Sequence, residues 1–133
     1  MDCAVIPINR SDNSFESVIS VIVRTYEIFY PDVFYIMYEP FNLPVLRKLE
    51  EFLNSLDRKV EKVDLSQYES VEGENTIWKF IKVVEEKTKE CRKVYLIPTV
   101  GANVLATALG LLYTKDTNRY NIVTYHFSFG PWT

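Results

Sequence analysis

Two short polar segments hold most of the side chains that could do chemistry. The first is Asn9 to Ser14 (NRSDNS) and the second is Pro98 to Asn103 (PTVGAN), and each follows an apolar run. The first segment supplies the guanidinium of Arg10 together with hydroxyl groups. The second supplies the hydroxyl of Thr99 and, at Gly101, a backbone that a ligand can approach closely. A cation, hydroxyl donors and an open backbone are the groups that bind a phosphate or another anion.

The first segment has a functional and a purely structural interpretation. In the functional one, Arg10 is predicted to bridge a phosphate, Ser11 and Ser14 to donate hydrogen bonds, and Asn9 and Asn13 to face a ligand, with Asn13 at a base or ribose edge. The alternative is that this run is a solvated helix cap.

In the second segment, Asn103 helps to open a helix whose free N–H groups favour an anion. The alternative is that Thr99 and Asn103 only cap a buried helix while Gly101 relieves a tight turn. Glu39 follows another apolar run and is predicted to hydrogen-bond a ribose or an adenine amine, although a residue before Pro40 is more often a solvent-facing turn residue.

Several classes of site are excluded by their missing motifs. Neither polar segment matches GxGxxG or GxxxxGK, so no dinucleotide fingerprint or P-loop is expected. The only imidazole, His126, has no nucleophile elbow to serve, and no cluster of metal ligands is visible. We therefore expect no metal site and no cofactor.

The elements that position these segments alternate along the chain. Apolar runs of strand length occur at 1–8, 33–38, 59–65, 94–97 and 121–129, and helical spacing of apolar residues begins near 15, 42, 75 and 102. The order predicts an α/β, Rossmann-like doubly wound fold, with one mostly parallel sheet and helices on both faces, in a single domain 1–133. The run at 33–38 should be an interior strand and the charged run at 59–65 an edge strand. Ligands in such folds bind outside the carboxyl ends of the strands, where the strand order reverses.

Composition restricts the partners and the compartment. The net charge of −3 argues against sequence-independent binding of duplex nucleic acid, which needs many cations. Cys3 and Cys91 have neither metal spacing nor a disulfide framework, so we expect two buried or half-buried free thiols and a reducing compartment. The N-terminus lacks the pattern of a signal peptide, and no run is long enough for a bilayer span, so a cytoplasmic protein is expected.

Aromatic residues are unusually abundant. The 9 Tyr and 8 Phe exceed what a small core needs, so some are expected at a surface or an interface.

Abundant Ile, Val, Lys and Glu are compatible with a thermophilic source. The apolar helix 102–113 is expected to be buried, and the turn around Lys115 to Arg119 is expected to be solvated.

The strand followed by PTVGANVLATALGLLY, with a closing segment rich in Tyr and Phe, resembles the CARF domain, the CRISPR-associated Rossmann fold. Thr99, Gly101 and Asn103 match part of the ligand-binding segment that follows the fourth strand in that family, and Asn9 to Ser14 match the loop after the first strand. Val100 stands where the family commonly has a second glycine.

The resemblance implies a homodimer that binds a cyclic oligoadenylate in antiviral defence, either as a stand-alone sensor or as a small ring nuclease. A ring nuclease needs no metal, because a ribose 2′-OH of the ligand is the nucleophile that attacks the neighbouring phosphate. Arg10 and Ser11 would be the catalytic residues. Two alternatives stay open. One is a non-catalytic archaeal or viral protein-protein interaction scaffold with no nucleotide ligand, and the other is the sensor part of a longer effector.

Overall fold

The computed structural model describes residues 1–8, 15–67, 74–99 and 103–125. Within them the strands are β1 (Asp2–Pro7), β2 (Val33–Tyr38), β3 (Lys59–Asp64), β4 (Lys93–Leu96) and β5 (Tyr120–Ile122). The helices are α1 (Phe15–Phe29), α2 (Leu43–Ser55), α3 (Glu74–Lys87) and α4 (Asn103–Lys115), with 3₁₀ turns at Pro40–Asn42 and Leu65–Gln67. The predicted alternation of strands and helices is confirmed.

All strand pairings are parallel, and the strand order is β3-β2-β1-β4-β5. The chain therefore winds from β1 outward to β3, returns to the other side of β1, and continues outward to β5. This is the topology of a Rossmann-like doubly wound α/β fold, as the sequence predicts. The reversal lies between β1 and β4.

Each face of the sheet has its own apolar core. Ala4 and Ile6 of β1 pack with residues of α1 and α2, whereas Cys3 and Val5 pack with residues of α3 and α4. All four side chains are fully buried. Because neighbouring residues of a strand point to opposite faces, helices on both faces bury every position of an interior strand. The predicted interior position of β2 is confirmed, since β2 lies between β1 and β3.

β3 is an edge strand, as its mixed charge predicts. Val63 is its only buried residue, and Lys59 and Glu61 form an exposed ion pair at 3.0 Å. Charged side chains along an open edge prevent another strand from pairing there.

The prediction of two free thiols is wrong, because Cys3 and Cys91 form a disulfide with their Cα atoms 6.0 Å apart. Both residues are buried, as predicted. Cys3 is paired in register with Val94, so the approach of β4 to β1 brings Cys91 within reach. The two cysteines are separated by 88 residues in the sequence, and only the order of the strands brings them together.

The predicted closing strand, 121–129, is too long. Among the described residues β5 pairs with β4 alone, and this pairing ends at Ile122 and Leu96. Val123 donates one more hydrogen bond, to the Leu96 carbonyl at 2.9 Å, and the chain then leaves the sheet. Residues 126–129 lie outside the described residues.

Two further expectations need correction. α4 is not buried all round, since Val104 is 47% exposed and Leu111 is 40% exposed. Arg119 is not simply solvated. Its guanidinium donates to the carbonyl oxygens of Cys91, at 3.1 Å, and Thr88, at the end of α3.

None of the helices in the described part of the chain is both long enough and apolar enough to cross a lipid bilayer.

Candidate functional site

The carboxyl ends of β1 and β4 lie side by side at the reversal of strand order. Val5 pairs with Leu96, the last residue of β4, and Ile97 donates one more hydrogen bond, to the Val5 carbonyl at 2.9 Å, so the two strands end next to each other. Ile8 still donates to the Met37 carbonyl at 2.9 Å, which keeps the end of β1 in the sheet. The two polar segments therefore begin from neighbouring strand ends at one edge of the sheet, where ligands bind in doubly wound folds.

Thr99 is the predicted site residue whose contacts are clearest. It is half-buried, and its Oγ1 accepts a hydrogen bond from the backbone N–H of Tyr125 at 3.0 Å. The hydroxyl thus has a structural partner in the segment after β5, whereas the alternative interpretation expected it to cap the helix that follows. The same oxygen keeps its own proton, so the hydroxyl can also act as a donor.

Tyr125 is in turn fixed to α1. Its phenol oxygen lies 3.0 Å from Oγ1 of Thr25, which is fully buried and donates its own proton to the Val21 carbonyl at 2.8 Å. With the Thr25 proton committed, Tyr125 is the donor of the pair. Burial raises the pKa of Tyr125, which keeps the phenol protonated and able to donate.

The sequence interpretation missed Thr25 and Tyr125 as a pair. One signal was present, because Thr25 continues the helical spacing of Val18, Ile22 and Phe29 on the buried side of α1. A hydroxyl at such a position needs a hydrogen-bond partner. The partner is 100 residues away, so no local pattern indicates it.

Glu39 follows β2 and lies at the same edge of the sheet. It forms a reciprocal capping box with Asn42, in which the Glu39 side chain accepts from the Asn42 backbone and Asn42 Oδ1 accepts the Glu39 N–H at 3.1 Å. Asn42 also directly precedes α2, but its side chain caps the preceding 3₁₀ turn and not that helix. Since β1 separates β2 from β4, Glu39 and Thr99 follow strands about 10 Å apart.

The other predicted site residues are less fully described. Asn103 is the first residue of α4. The rest lie outside the described residues, namely Asn9, Arg10, Ser11, Asn13, Ser14 and Gly101. Their proposed roles stay predictions.

One groove has a volume of about 350 Å³. The described residues that line it, Ile19, Ser20, Val23 and Arg24, all belong to α1. The Ser20 hydroxyl already donates to the Glu16 carbonyl at 2.7 Å. Among the described residues, the lining thus consists of two aliphatic side chains, one serine and the cation of Arg24.

Comparison with protein-family models gives no match, and no curated protein matches the sequence. The resemblance to CARF domains stays a prediction that depends on the residues given above.

Proposed function

We propose that this chain is a nucleotide-binding domain that holds a cyclic oligoadenylate, or a related nucleotide, between the loops that follow β1 and β4. The observation that carries the proposal is the reversal of strand order between these two strands. It supports the proposal because α1 and α4, which follow these strands, lie on opposite faces of the sheet, and ligands of doubly wound folds bind at such a reversal.

The chemistry of the two loops suits a phosphate. α4 spans 13 residues and begins at Asn103, directly after the second loop, so its free N–H groups favour negative charge there. The first loop supplies the cation, Arg10, and the hydroxyl of Ser11. Thr99, at the start of the second loop, adds a hydroxyl whose oxygen is already held in place.

Replacing Arg10 with Ala is expected to weaken binding of cyclic tetra-adenylate and cyclic hexa-adenylate by tenfold or more. A charge-assisted hydrogen bond contributes about 1.5–3 kcal/mol, and its loss removes one counterion-linked contact. Binding should be measured by titration calorimetry from about 50 to about 200 mM salt, where the variant should show the shallower salt dependence.

Arg92→Ala is the matched control, because Arg92 is 77% exposed and lies beside the start of β4, at the opposite edge of the sheet. It should bind both rings as the wild type does. Equal affinity and equal salt dependence of the Arg10→Ala protein would contradict the role of Arg10. Products of the same incubations distinguish two versions of the proposal. Linear oligoadenylate formed without added metal identifies a ring nuclease, and intact rings identify a sensor.

We further propose that the domain is a homodimer that pairs through α4. From Asn103 to Thr114 this helix carries no charged residue. Val104 and Leu111 are exposed on it, and Trp78 of the adjacent α3 is 58% exposed. An exposed apolar helix face of this kind is typical of a protein contact surface.

Leu111→Glu is expected to convert the dimer to a monomer, because it places a charge in the apolar contact. Light scattering during gel filtration should give twice the chain mass for the wild type and the mass of one chain for the variant. Ile28→Glu, at a residue of α1 that is 58% exposed, is the control and should stay dimeric. A wild-type monomer would contradict the dimer.

The same exposed side chains favour the alternative function, an interaction scaffold for another protein. Phe41, two residues after Glu39, is 44% exposed and adds an aromatic group near the carboxyl end of β2, where the ligand is proposed to bind. A wild-type protein that binds neither ring in the titrations above would favour this alternative.

We propose a cytoplasmic location in a thermophilic host, in CRISPR-associated defence. The disulfide conflicts with the reducing compartment that the sequence suggested, because most cytosolic proteins keep their thiols reduced. Intracellular proteins of hyperthermophiles are the known exception. A thermophilic source accommodates both the disulfide and a cytoplasmic location.

A further inference from the structure

The segment after β5 bridges two elements that are far apart in the sequence. Tyr125 contacts Thr99 in the loop after β4 through its backbone and Thr25 of α1 through its phenol. A single residue thus connects the loop at the carboxyl end of β4 with α1, the helix that covers one face of the sheet.

The directions of these hydrogen bonds are fixed by the groups involved. A backbone N–H only donates, so the Thr99 oxygen is the acceptor of the first contact. The Thr25 hydroxyl donates its hydrogen bond to the Val21 carbonyl, so in the second contact the phenol of Tyr125 is the donor and Thr25 Oγ1 is the acceptor. Both donors belong to Tyr125, and fixing its phenol also restricts the position of its backbone N–H.

The consequence falls on the Thr99 hydroxyl. With one lone pair of the oxygen occupied by Tyr125, the side-chain rotamer is restrained and the O–H proton is left without an acceptor among the described residues. A hydroxyl that is already oriented costs less entropy when it binds an anion than one that rotates freely.

We propose that Tyr125 is a positioning residue for Thr99: anchored by its phenol on buried Thr25, it holds the Thr99 oxygen so that the Thr99 proton is donated to a phosphate oxygen of the ligand. This inference rests on the proposed function and adds a residue that the CARF resemblance did not indicate. The packing of Val123 and Tyr125 against the α1 side of the sheet supports it, because it fixes the path of the segment that carries the N–H.

The test is a double-mutant cycle in ring binding. Tyr125→Phe removes only the phenol oxygen, and Thr99→Val removes the hydroxyl that it positions. Each single variant is expected to bind the preferred ring, cyclic tetra-adenylate or cyclic hexa-adenylate, about three- to tenfold more weakly, which is the range for one neutral hydrogen bond. The double variant should bind no more weakly than Thr99→Val alone. A simple loss of packing would instead give additive effects, and additivity would overturn the proposal.

Conservative variants separate positioning from stability. Thr99→Ser and Thr25→Ser keep the hydroxyl groups and should retain the affinity of the wild type, whereas Thr25→Val should behave like Tyr125→Phe. The control is Tyr95→Phe, which removes a half-buried phenol from β4 and should leave ring affinity unchanged. Equal losses from Tyr95→Phe and Tyr125→Phe would overturn a specific role for Tyr125.

A measurement without ligand distinguishes the failure of this inference from the failure of the proposed function. Amide hydrogen exchange at Tyr125 should be slow in the wild type and about three- to tenfold faster in Thr99→Val and Tyr125→Phe, because the N–H loses its restrained partner. If exchange is unchanged in both variants while the wild type binds a ring, the positioning role is overturned and the proposed function stands. If the wild type binds neither ring, the proposed function is overturned and this inference is overturned with it.

Discussion

Reduction of the Cys3–Cys91 disulfide is expected to lower the free energy of unfolding by as much as 4–5 kcal/mol. The bond closes a loop with a sequence separation of 88 residues. In the chain-entropy model, a loop of that length restricts the unfolded chain by about 4–5 kcal/mol. Since a domain of ordinary stability unfolds with about 5–15 kcal/mol, this loss is a large fraction of the total.

Denaturant unfolding of the oxidised protein and of protein kept in excess reductant measures the effect. The double variant Cys3→Ala/Cys91→Ala is the control, since its unfolding midpoint should not respond to reductant. Both cysteines are buried, so reduction should follow opening of the structure and the protein should be incubated until the midpoint is constant. A wild-type midpoint that is the same with and without reductant would show that the bond does not stabilise the chain.

Much of the fold follows from local patterns in the sequence. The apolar run at 33–38 identifies an interior strand, and the mixed charge of Lys59–Asp64 identifies an edge strand, because burial on two faces or on one leaves a different composition. Pro31 marks the end of α1, where Tyr30 takes a left-handed φ of 50° and donates to the Tyr26 carbonyl. Each of these features depends on residues that are close in sequence.

The features that the sequence did not reveal depend on long-range pairing. The disulfide requires β4 to lie beside β1, and β5 ends where its pairing with β4 ends. The contact between Thr25 and Tyr125 likewise joins the first helix to the segment after the last strand. A local period says which face of an element is buried, but it does not say which distant residue covers that face.

The candidate site shows the same division. The polar character of both loops and the position of Glu39 at the sheet edge could be predicted, because parallel strands end at a common edge. The partner of Thr99 could not, since nothing in PTVGAN indicates that a backbone N–H from after β5 would occupy its oxygen. The structural role of Arg119 could not be predicted either, because the polar composition of its turn is typical of a solvated connection.

Replacing that residue, Arg119→Ala, is expected to destabilise the fold by about 2–3 kcal/mol. The guanidinium donates to the carbonyl oxygens of Thr88 and Cys91 and, at 2.7 Å, to the phenol oxygen of Tyr120. Hydrogen bonds from a charged donor contribute about 1.5–3 kcal/mol each, and the lower total allows for the half-exposed side chain, whose carbonyl partners water can replace in part.

Denaturant unfolding should place Arg119→Ala well below the wild type and Arg119→Lys close to Arg119→Ala, because a lysine ammonium cannot reproduce the planar fork that reaches several acceptors. Arg92→Ala is the control. Arg92 is 77% exposed, and its described contact is a 3.4 Å ion pair with Asp2, so its loss should cost less than about 1 kcal/mol. An equal cost for the two alanine variants would mean that the Arg119 contacts contribute no more than a surface ion pair. A larger cost for Arg119 would show that its hydrogen bonds stabilise the contact between the end of α3 and the start of β5.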